Sequence, residues 1–267
     1  MVVYVDGEFV PDTNIANIEE QYGLFESLIF DDGKIFKLTE HLDRLYDGAK
    51  FLNLKIPLEK DELSGAIYKT VEKNGLSPAY IRVGISQSIH QSISIRIIVK
   101  PLPQYPEEIY TSGVSVITVP TRRHHIESTN PLIKSSDFEA NILAKIEGSA
   151  YFEAIMLNED GYVTEGTISN IFVYKNGVLI TPPAYSGLLK GITRELVIDI
   201  AKHKQIEVKE EVISRYELYC CEEAFLTFTS GRIVPVTKID ERIIGTGQPG
   251  IITQKFLSLL FNNPNEE

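Results

Sequence analysis

The sequence predicts an α/β (α+β) protein built as two halves with a cleft between them. Three observations carry that expectation. Up to about residue 116 the order is strands, two helices, strands; the stretch TVPTRRHHIESTNP has no clear periodicity; and beyond it helices and strands alternate again to a last helix. The expected organisation is an N-terminal domain over 1–116, a connection over 117–130 and a C-terminal domain over 131–267. At 267 residues the chain is long enough for two modest units sharing a cleft, where ligands usually sit.

Each element has a local reason. VVYV and EFV flank Asp6-Gly7, a hairpin signal, and YGLFESLIF meets KIFKL across Asp31-Asp32-Gly33. TEHLDRLYDGAKFLNL spaces Leu42, Leu45, Ala49 and Leu52 as one helical face, with Thr39 as the expected N-cap. LEKDELSGAIYKTVEKNGL is a second helix stopped by Asn74-Gly75, and AYIRVGIS, SISIRIIVKPL and VSVITVP are rich in β-branched residues. In the second half, KSSDFEANILAKIEGSAYF puts Phe138, Ile142, Leu143 and Ile146 on one helical face. EAIMLN, TISNIFVYK and GVLITP follow as strands. SGLLKGITRELVIDIAKHKQ then turns into a helix with Leu196, Val197, Ile200 and Ala201 inward, and EVKEEVIS, AFLTFTS and RIVPVTKI are further strands. The NNPNEE tail reads as frayed.

Composition narrows the function classes. Hydrophobic residues make up 43% and charged residues 24%, ordinary values for a soluble domain, and the net charge of −11 argues against a nucleic-acid-binding surface. The adjacent pair Cys220 and Cys221 reads as reduced thiols in a cytoplasmic protein, with neither a structural disulfide nor a metal site. FLSLLF, the most apolar short run, is far below the roughly 20 residues a membrane span needs, and the N-terminus carries no signal-peptide pattern.

Five features carry chemistry, each modest alone. Lys134 lies between a short apolar run and an amphipathic helix, where packing of its stem can present the amine as a nucleophile; Lys145 is equally eligible by composition. Gly191, Ile192 and Thr193 sit at the mouth of a helix, a seat for phosphate or a simple cap. Thr227, Thr229 and Ser230 precede Gly231 at a strand end, an anion site or an ordinary turn. Arg44 lies between Leu42 and Leu45, a surface ion-pair partner or a permanent cation for phosphate. Glu165 stands among Thr164, Gly166 and Thr167, with apolar residues on both sides, where a carboxylate needs a partner. A lysine, a phosphate seat and a placed acid are the parts that pyridoxal 5′-phosphate needs, and on that reading Glu165 pairs with the cofactor's ring cation rather than with protein. His124 and His125 carry no further ligands nearby, and Arg122 and Arg123 read as solvated linker charges or as residues that reach the substrate mouth.

The ordered set HLDRL, IKSSDFEANILAKIEG, VTEGTISNIF, LLKGITRELVIDIAK and FTSGRIVPV resembles the class IV, or fold-type IV, pyridoxal-phosphate aminotransferases, across roughly residues 1 to 260. The resemblance implies a smaller N-terminal α/β domain and a larger C-terminal pseudo-barrel domain with the active site between them. It implies Lys134, not Lys145, as the Schiff-base lysine and Glu165 as the partner of the pyridine nitrogen. Arg44, Ile192, Thr193 and Thr229 match phosphate contacts, and Leu189 matches an apolar residue packed on the ring. Phe25, Glu26, Arg82 and Ser230 are the substrate-side candidates. The implied reaction moves an amino group between an amino acid, branched-chain ones among them, and a 2-oxo acid. A homodimer, with no nucleic-acid or membrane partner, completes what the resemblance implies.

The substrate signature is mixed. Phe25-Glu26 and AYIR (Ala79 to Arg82) are similar to branched-chain enzymes, in which that arginine helps hold a substrate carboxylate. The tyrosine those enzymes carry five residues after the lysine is Glu139 here. D-amino acid aminotransferases usually have Tyr at Phe25, and Ser27 is a loose echo of the Thr common in 4-amino-4-deoxychorismate lyases, which release pyruvate. Both remain alternatives on sequence.

Overall fold

The computed structural model describes residues 1–12, 23–88, 92–124, 130–135 and 139–262, with side chains to residue 260. Phe138, His125 and residues 263–267 of the tail lie outside the described residues. The chain forms two compact units, one of Met1–Gln104 with Ile133–Asp137, the other of Tyr105–Leu132 with Phe138–Glu267.

The first unit contains β1 (Val2–Val5), β2 (Glu8–Pro11), β3 (Gly23–Asp31), β4 (Lys34–Ile35), α1 (Leu38–Phe51), α2 (Lys60–Asn74), β5 (Ala79–Gln87) and β6 (Ile93–Pro101). Its strands make a six-stranded sheet in the order β2-β1-β6-β5-β3-β4. The hairpin turn at Asp6-Gly7 has positive φ at both residues, as a tight two-residue turn demands. Leu24, Leu28, Ile81, Val83, Ile85, Ile95 and Ile97 alternate onto one face and pack with Leu42, Leu45, Leu63 and Ile67 of the two helices. α2 stops at Gly75, whose φ of 60° is the left-handed cap glycine supplies cheaply. α1 differs from expectation at its start: Lys37, at φ 50°, occupies the N-cap and Thr39 lies inside the helix, with no side-chain cap. Ile133–Ser135 joins this unit along the outer edge of β3, which β4 covers only at Phe30 and Asp31; the Phe25 N–H donates to the Lys134 carbonyl at 3.0 Å, and Leu24 bridges Ser135.

The second unit contains α3 (Glu108–Thr111), β7 (Val114–Arg122), α4 (Glu139–Glu147), β8 (Glu153–Leu157), β9 (Val163–Gly166), β10 (Asn170–Lys175), β11 (Val178–Thr181), α5 (Ile192–His203), β12 (Glu207–Glu210), α6 (Arg215–Tyr219), β13 (Glu223–Phe228), β14 (Arg232–Ile239), β15 (Arg242–Ile243) and α7 (Ile251–Asn262). The sheet runs β12-β11-β10-β13-β14-β7-β8-β9, with β15 on β14. β9 and β10 are joined only by the turn over Thr167–Ser169, yet they stand at the two ends of the run β10-β13-β14-β7-β8-β9. The sheet must therefore curl until those ends meet, and the Gly166 N–H donates to the Ser169 carbonyl at 2.7 Å across that seam. The inside is filled by Val116, Ile155, Val163, Ile171, Leu226 and Val234.

Three features of this half lie beyond what the local sequence signals. The expected boundary at 116/117 falls inside β7, which pairs in parallel with β14 and β8; TVPTR is strand to Arg122 because its partners are distant in sequence. Glu165 lies within a strand of its own, β9, and TISNIFVYK, expected as strand throughout, is strand only from Asn170. The apolar face of α4 points outward: Ile142, Leu143 and Ile146 are more than half exposed, while Ala140 and Ala144 are buried. Small residues win that position because α4 lies close on the sheet; Ala144 packs with Val119, Ala154 and Met156. The α5 reading holds, with Val197 and Ala201 buried and Leu196 and Ile200 packed on the same cluster. No helix of the described residues is long and apolar enough to cross a membrane.

Candidate active site

Glu165 sits at the seam of the curled sheet, on β9, with 6% of its surface exposed. Contrary to the reading that its partner is not protein, protein donors surround it. Oε2 accepts from Asn170 Nδ2 and from the Leu189 N–H, both at 3.1 Å, and Arg123 Nη2 lies 3.1 Å from Oε1. Asn170 in turn donates to the Leu189 carbonyl at 2.9 Å, so one amide fixes the strand and the loop on either side of the acid. Arg123 spends its other nitrogens on the Gly187 carbonyl (3.0 Å) and Asn141 Oδ1 (2.8 Å). Arg123 is therefore no solvated linker charge. Its acceptors come from residues 141, 165 and 187, and nothing within a few residues of it signals them.

The turn behind Glu165 is held by a second buried acid. Glu153, at the start of β8, accepts from Thr167 Oγ1 (2.7 Å), Ser169 Oγ (2.9 Å) and the Ile168 N–H (3.2 Å). Gly166 is required there: a Cβ would fall 2.3 Å from Ser169 Oγ and 2.8 Å from Glu153 Cδ. The Thr167 carbonyl accepts from Asn141 at 2.6 Å, which links this turn to Arg123.

The start of α5 lies beside the same network. Its N-cap is Gly191, which offers no side-chain cap, and a Cβ at Gly191 would lie 2.1 Å from Asn170 Oδ1. The glycine thus lets an uncapped helix N-terminus approach the residue that holds Glu165, with Ile192 and Thr193 opening the helix. Thr193 is buried at 4% exposure. Thr227 on β13 is the register partner of Asn170, and its buried hydroxyl has no hydrogen-bond partner. Thr229 and Ser230 follow β13 and are half-buried; Ser230 Oγ is 2.9 Å from the Tyr105 hydroxyl.

In the first unit, the candidates divide between the two faces of β3. On the helix side, Glu26 is 1% exposed and pairs with Arg44 through Nε–Oε1 and Nη2–Oε2, both 2.7 Å, while His41 Nδ1 lies 2.7 Å from Oε2. Burial pushes the Glu26 carboxyl upward, but His41 and Arg44 outweigh it and hold the group down at about 2. Burial holds His41 below the ordinary imidazole range against the pull of Glu26, which fits the neutral ring, and its Nε2 has no partner. On the other side of β3, the Phe25 ring is in contact with two cations, the Arg82 guanidinium at 4.2 Å and the Lys134 amine at 4.7 Å from its centroid. Lys134 is half-buried and its backbone is stitched to β3, whereas Lys145 is exposed on α4. The two lysines, equal by composition, thus differ in setting.

The chain matches the family model described as amino-transferase class IV over residues 23–239. A Methanocaldococcus jannaschii relative, provisionally named a branched-chain-amino-acid aminotransferase, is 40% identical over 96% of this chain and 93% of its own. The branched-chain amino acid aminotransferase of Escherichia coli superposes with a TM-score of 0.92 at 30% identity, covering 98% of this chain and 93% of that one. Another branched-chain amino acid aminotransferase, solved with pyridoxamine 5′-phosphate, gives a TM-score of 0.91 at 29% identity over 98% and 93% of the two chains.

Proposed function

The chain belongs to the class IV aminotransferases, enzymes that move an amino group between an amino acid and a 2-oxo acid, and on that footing we propose pyridoxal 5′-phosphate as its cofactor and branched-chain amino acids among its donors. The observation that carries this reading is Glu165: a buried carboxylate whose orientation is fixed by Arg123, Asn170 and the Leu189 N–H. The described residues fit the cofactor's chemistry. A placed acid suits a pyridine nitrogen, a glycine-capped helix start suits a phosphate, and a half-buried lysine suits an aldehyde.

When bound, pyridoxal phosphate supplies an aldehyde that takes up the substrate amine and a ring that draws electrons from the substrate's α-carbon. In this reading Lys134 Nζ would hold the cofactor through its aldehyde and, when free, would carry a proton to and from the substrate's α-carbon. Glu165 would pair with the ring nitrogen, its orientation kept by its protein donors. Ile192, Thr193 and Thr229 would hold the phosphate, Arg44, oriented by Glu26, would support it as a cation, and Leu189 would supply apolar packing for the ring. Phe25, Arg82 and Ser230 line the substrate side. Glu26, spent on Arg44 and His41, acts there through Arg44 as a positioning residue. A cytoplasmic homodimer belongs to the same reading: both cysteines are free thiols, and Ile142, Leu143 and Ile146 offer apolar surface for a second copy.

Lys134→Ala tests the reading. The variant should lose the visible absorbance of bound cofactor and nearly all amino transfer from leucine to 2-oxoglutarate, while Lys145→Ala keeps both. Near-normal turnover by Lys134→Ala would overturn the assignment.

A further inference from the structure

On its outer face the sheet of the second unit packs against α5 and α7. Phe172 of β10 and Phe225 of β13 are register partners there, with ring centroids stacked at 5.1 Å, and they share a core cluster with Val197, Ile198 and Ala201 of α5 and Phe256 of α7. Two residues along each strand, on the same face, stand Asn170 and Thr227, again partners, and Ile233 of β14 completes their row. The body of α5 covers the phenylalanine row and its start reaches the Asn170 row. Gly191, its N-cap, comes so near that a Cβ would lie 2.1 Å from Asn170 Oδ1. Thr227 therefore lies in the row met by the N-terminus of a helix of 12 residues.

The two polar members of this row differ in one respect. Asn170 is engaged, donating to Glu165 Oε2 and to the Leu189 carbonyl. Thr227 is 1% exposed, and its Oγ1 has no hydrogen-bond partner among the described residues. A buried hydroxyl left unpaired is costly and needs a reason. Valine, equally β-branched and equally suited to a strand, would bury no polar atom at this position. The start of α5 has the same deficit: its N-cap is a glycine with no side-chain cap, and the N–H groups of a first helical turn have no acceptor within the helix. A hydroxyl donor on the strand and amide donors on the helix thus converge. A group with several anionic oxygens answers both, and the helix N-terminus favours its charge.

We propose that Thr227 is a further cofactor-binding residue, whose buried hydroxyl donates to a phosphate oxygen at the start of α5. This rests on the aminotransferase reading for the identity of the anion. The hydroxyl then destabilises the protein without the anion and stabilises its complex, opposite effects that a residue merely filling the sheet does not show.

The test compares Thr227→Val and Thr227→Ser with the parent, by thermal denaturation of the apoproteins and by fluorescence titration with pyridoxal 5′-phosphate and with phosphate-free pyridoxal. Thr227→Val should bind pyridoxal phosphate about 10- to 100-fold more weakly, the worth of a charged hydrogen bond, and pyridoxal within threefold of the parent. Thr227→Ser keeps a hydroxyl and should recover most of the loss. Without cofactor, Thr227→Val should melt no lower than the parent, because it removes an unsatisfied polar group from the interior. Affinity of Thr227→Val for pyridoxal phosphate within threefold of the parent overturns the proposal. An equal fall for pyridoxal, or a Thr227→Val apoprotein that melts earlier than the parent, overturns it too. Orthophosphate adds a measurement that needs no cofactor: it should raise the melting temperature of the parent more than that of Thr227→Val, and equal shifts sink the assignment. A parent that takes up no pyridoxal phosphate refutes the cofactor reading, while the orthophosphate comparison still decides Thr227.

Discussion

Arg123 holds Glu165 across 3.1 Å, and its two remaining nitrogen positions tie the same guanidinium to Asn141 and the Gly187 carbonyl. The acid therefore has a resident counter-charge before any ligand arrives. Breaking a largely buried pair strands its partner, at a cost of about 1–3 kcal/mol here after allowance for the 16% exposure of the Arg123 side chain. The proposed cofactor brings a second cation to Glu165, so it should offset part of that loss. Arg123→Gln is expected to melt several degrees early without pyridoxal phosphate and to recover more than the parent when it is added, as thermal denaturation with and without cofactor will show. An equal deficit in both states would mean that Glu165 meets no cofactor cation.

Glu153 is predicted to be the acid whose loss does most damage to the second unit after Glu165. Three donors of the Thr167–Ser169 turn converge on it, and Glu153→Ala leaves the two hydroxyls buried without that acceptor and strips the Ile168 N–H of its partner. The expected loss is about 3 kcal/mol or more in urea denaturation. Glu153→Gln keeps one acceptor oxygen and should cost roughly half as much. If Ala and Gln cost the same, the clasp is not what holds the turn.

How much of this could be read from the chain itself depends on the range of each interaction. Gly75 and the Asp6-Gly7 hairpin were legible because their signals are local: a helix needs a left-handed stop, and a two-residue turn needs positive φ. The α5 face was legible because its apolar period matches the face it buries. On α4 the same period marks a face that stays exposed, since an apolar stripe records chemistry and not what covers it; Ala140 and Ala144 take the inner side because only small side chains fit under a close helix. Candidates Lys134, Glu165, Thr193 and Thr229 were named from motif strings. Arg123, Glu153 and Asn170 were passed over because each earns its place through partners 5 to 64 residues away. Arg44 and Glu26 were named singly, and only the structure joins them.

That pair makes the first unit sensitive to acid. The Glu26 carboxyl is lowered from 4.5 to about 2, so the stability it contributes is complete above pH 4.5 and drains away as the pH falls toward 2, amounting to about 3 kcal/mol in all. His41, also lowered from its ordinary value of 6.5, adds in the same direction: the unfolded chain takes up a proton below pH 6.5 that the buried ring refuses. Stability should therefore decline from pH 6.5 downward, in urea midpoints measured at constant ionic strength. His41→Gln should flatten the upper part of that decline and leave the part below pH 4.5.

Gly191 offers the sharpest single-atom experiment. One methyl group there meets Asn170 Oδ1 at 2.1 Å, closer than any real contact, so Gly191→Ala must displace either the helix start or the Asn170 amide. Moving Asn170 loosens its bonds to Glu165 and to the Leu189 carbonyl together; moving α5 withdraws its N-terminal amides from the proposed phosphate. Either shift weakens retention of pyridoxal phosphate, and a fall of about 10-fold or more in cofactor affinity is expected from fluorescence titration of the apoenzyme. Phosphate-free pyridoxal separates the two causes. If α5 moves, the preference for the phosphorylated form collapses; if Asn170 moves, both forms weaken alike. Unchanged affinity for both would show that the start of α5 contributes nothing to cofactor binding.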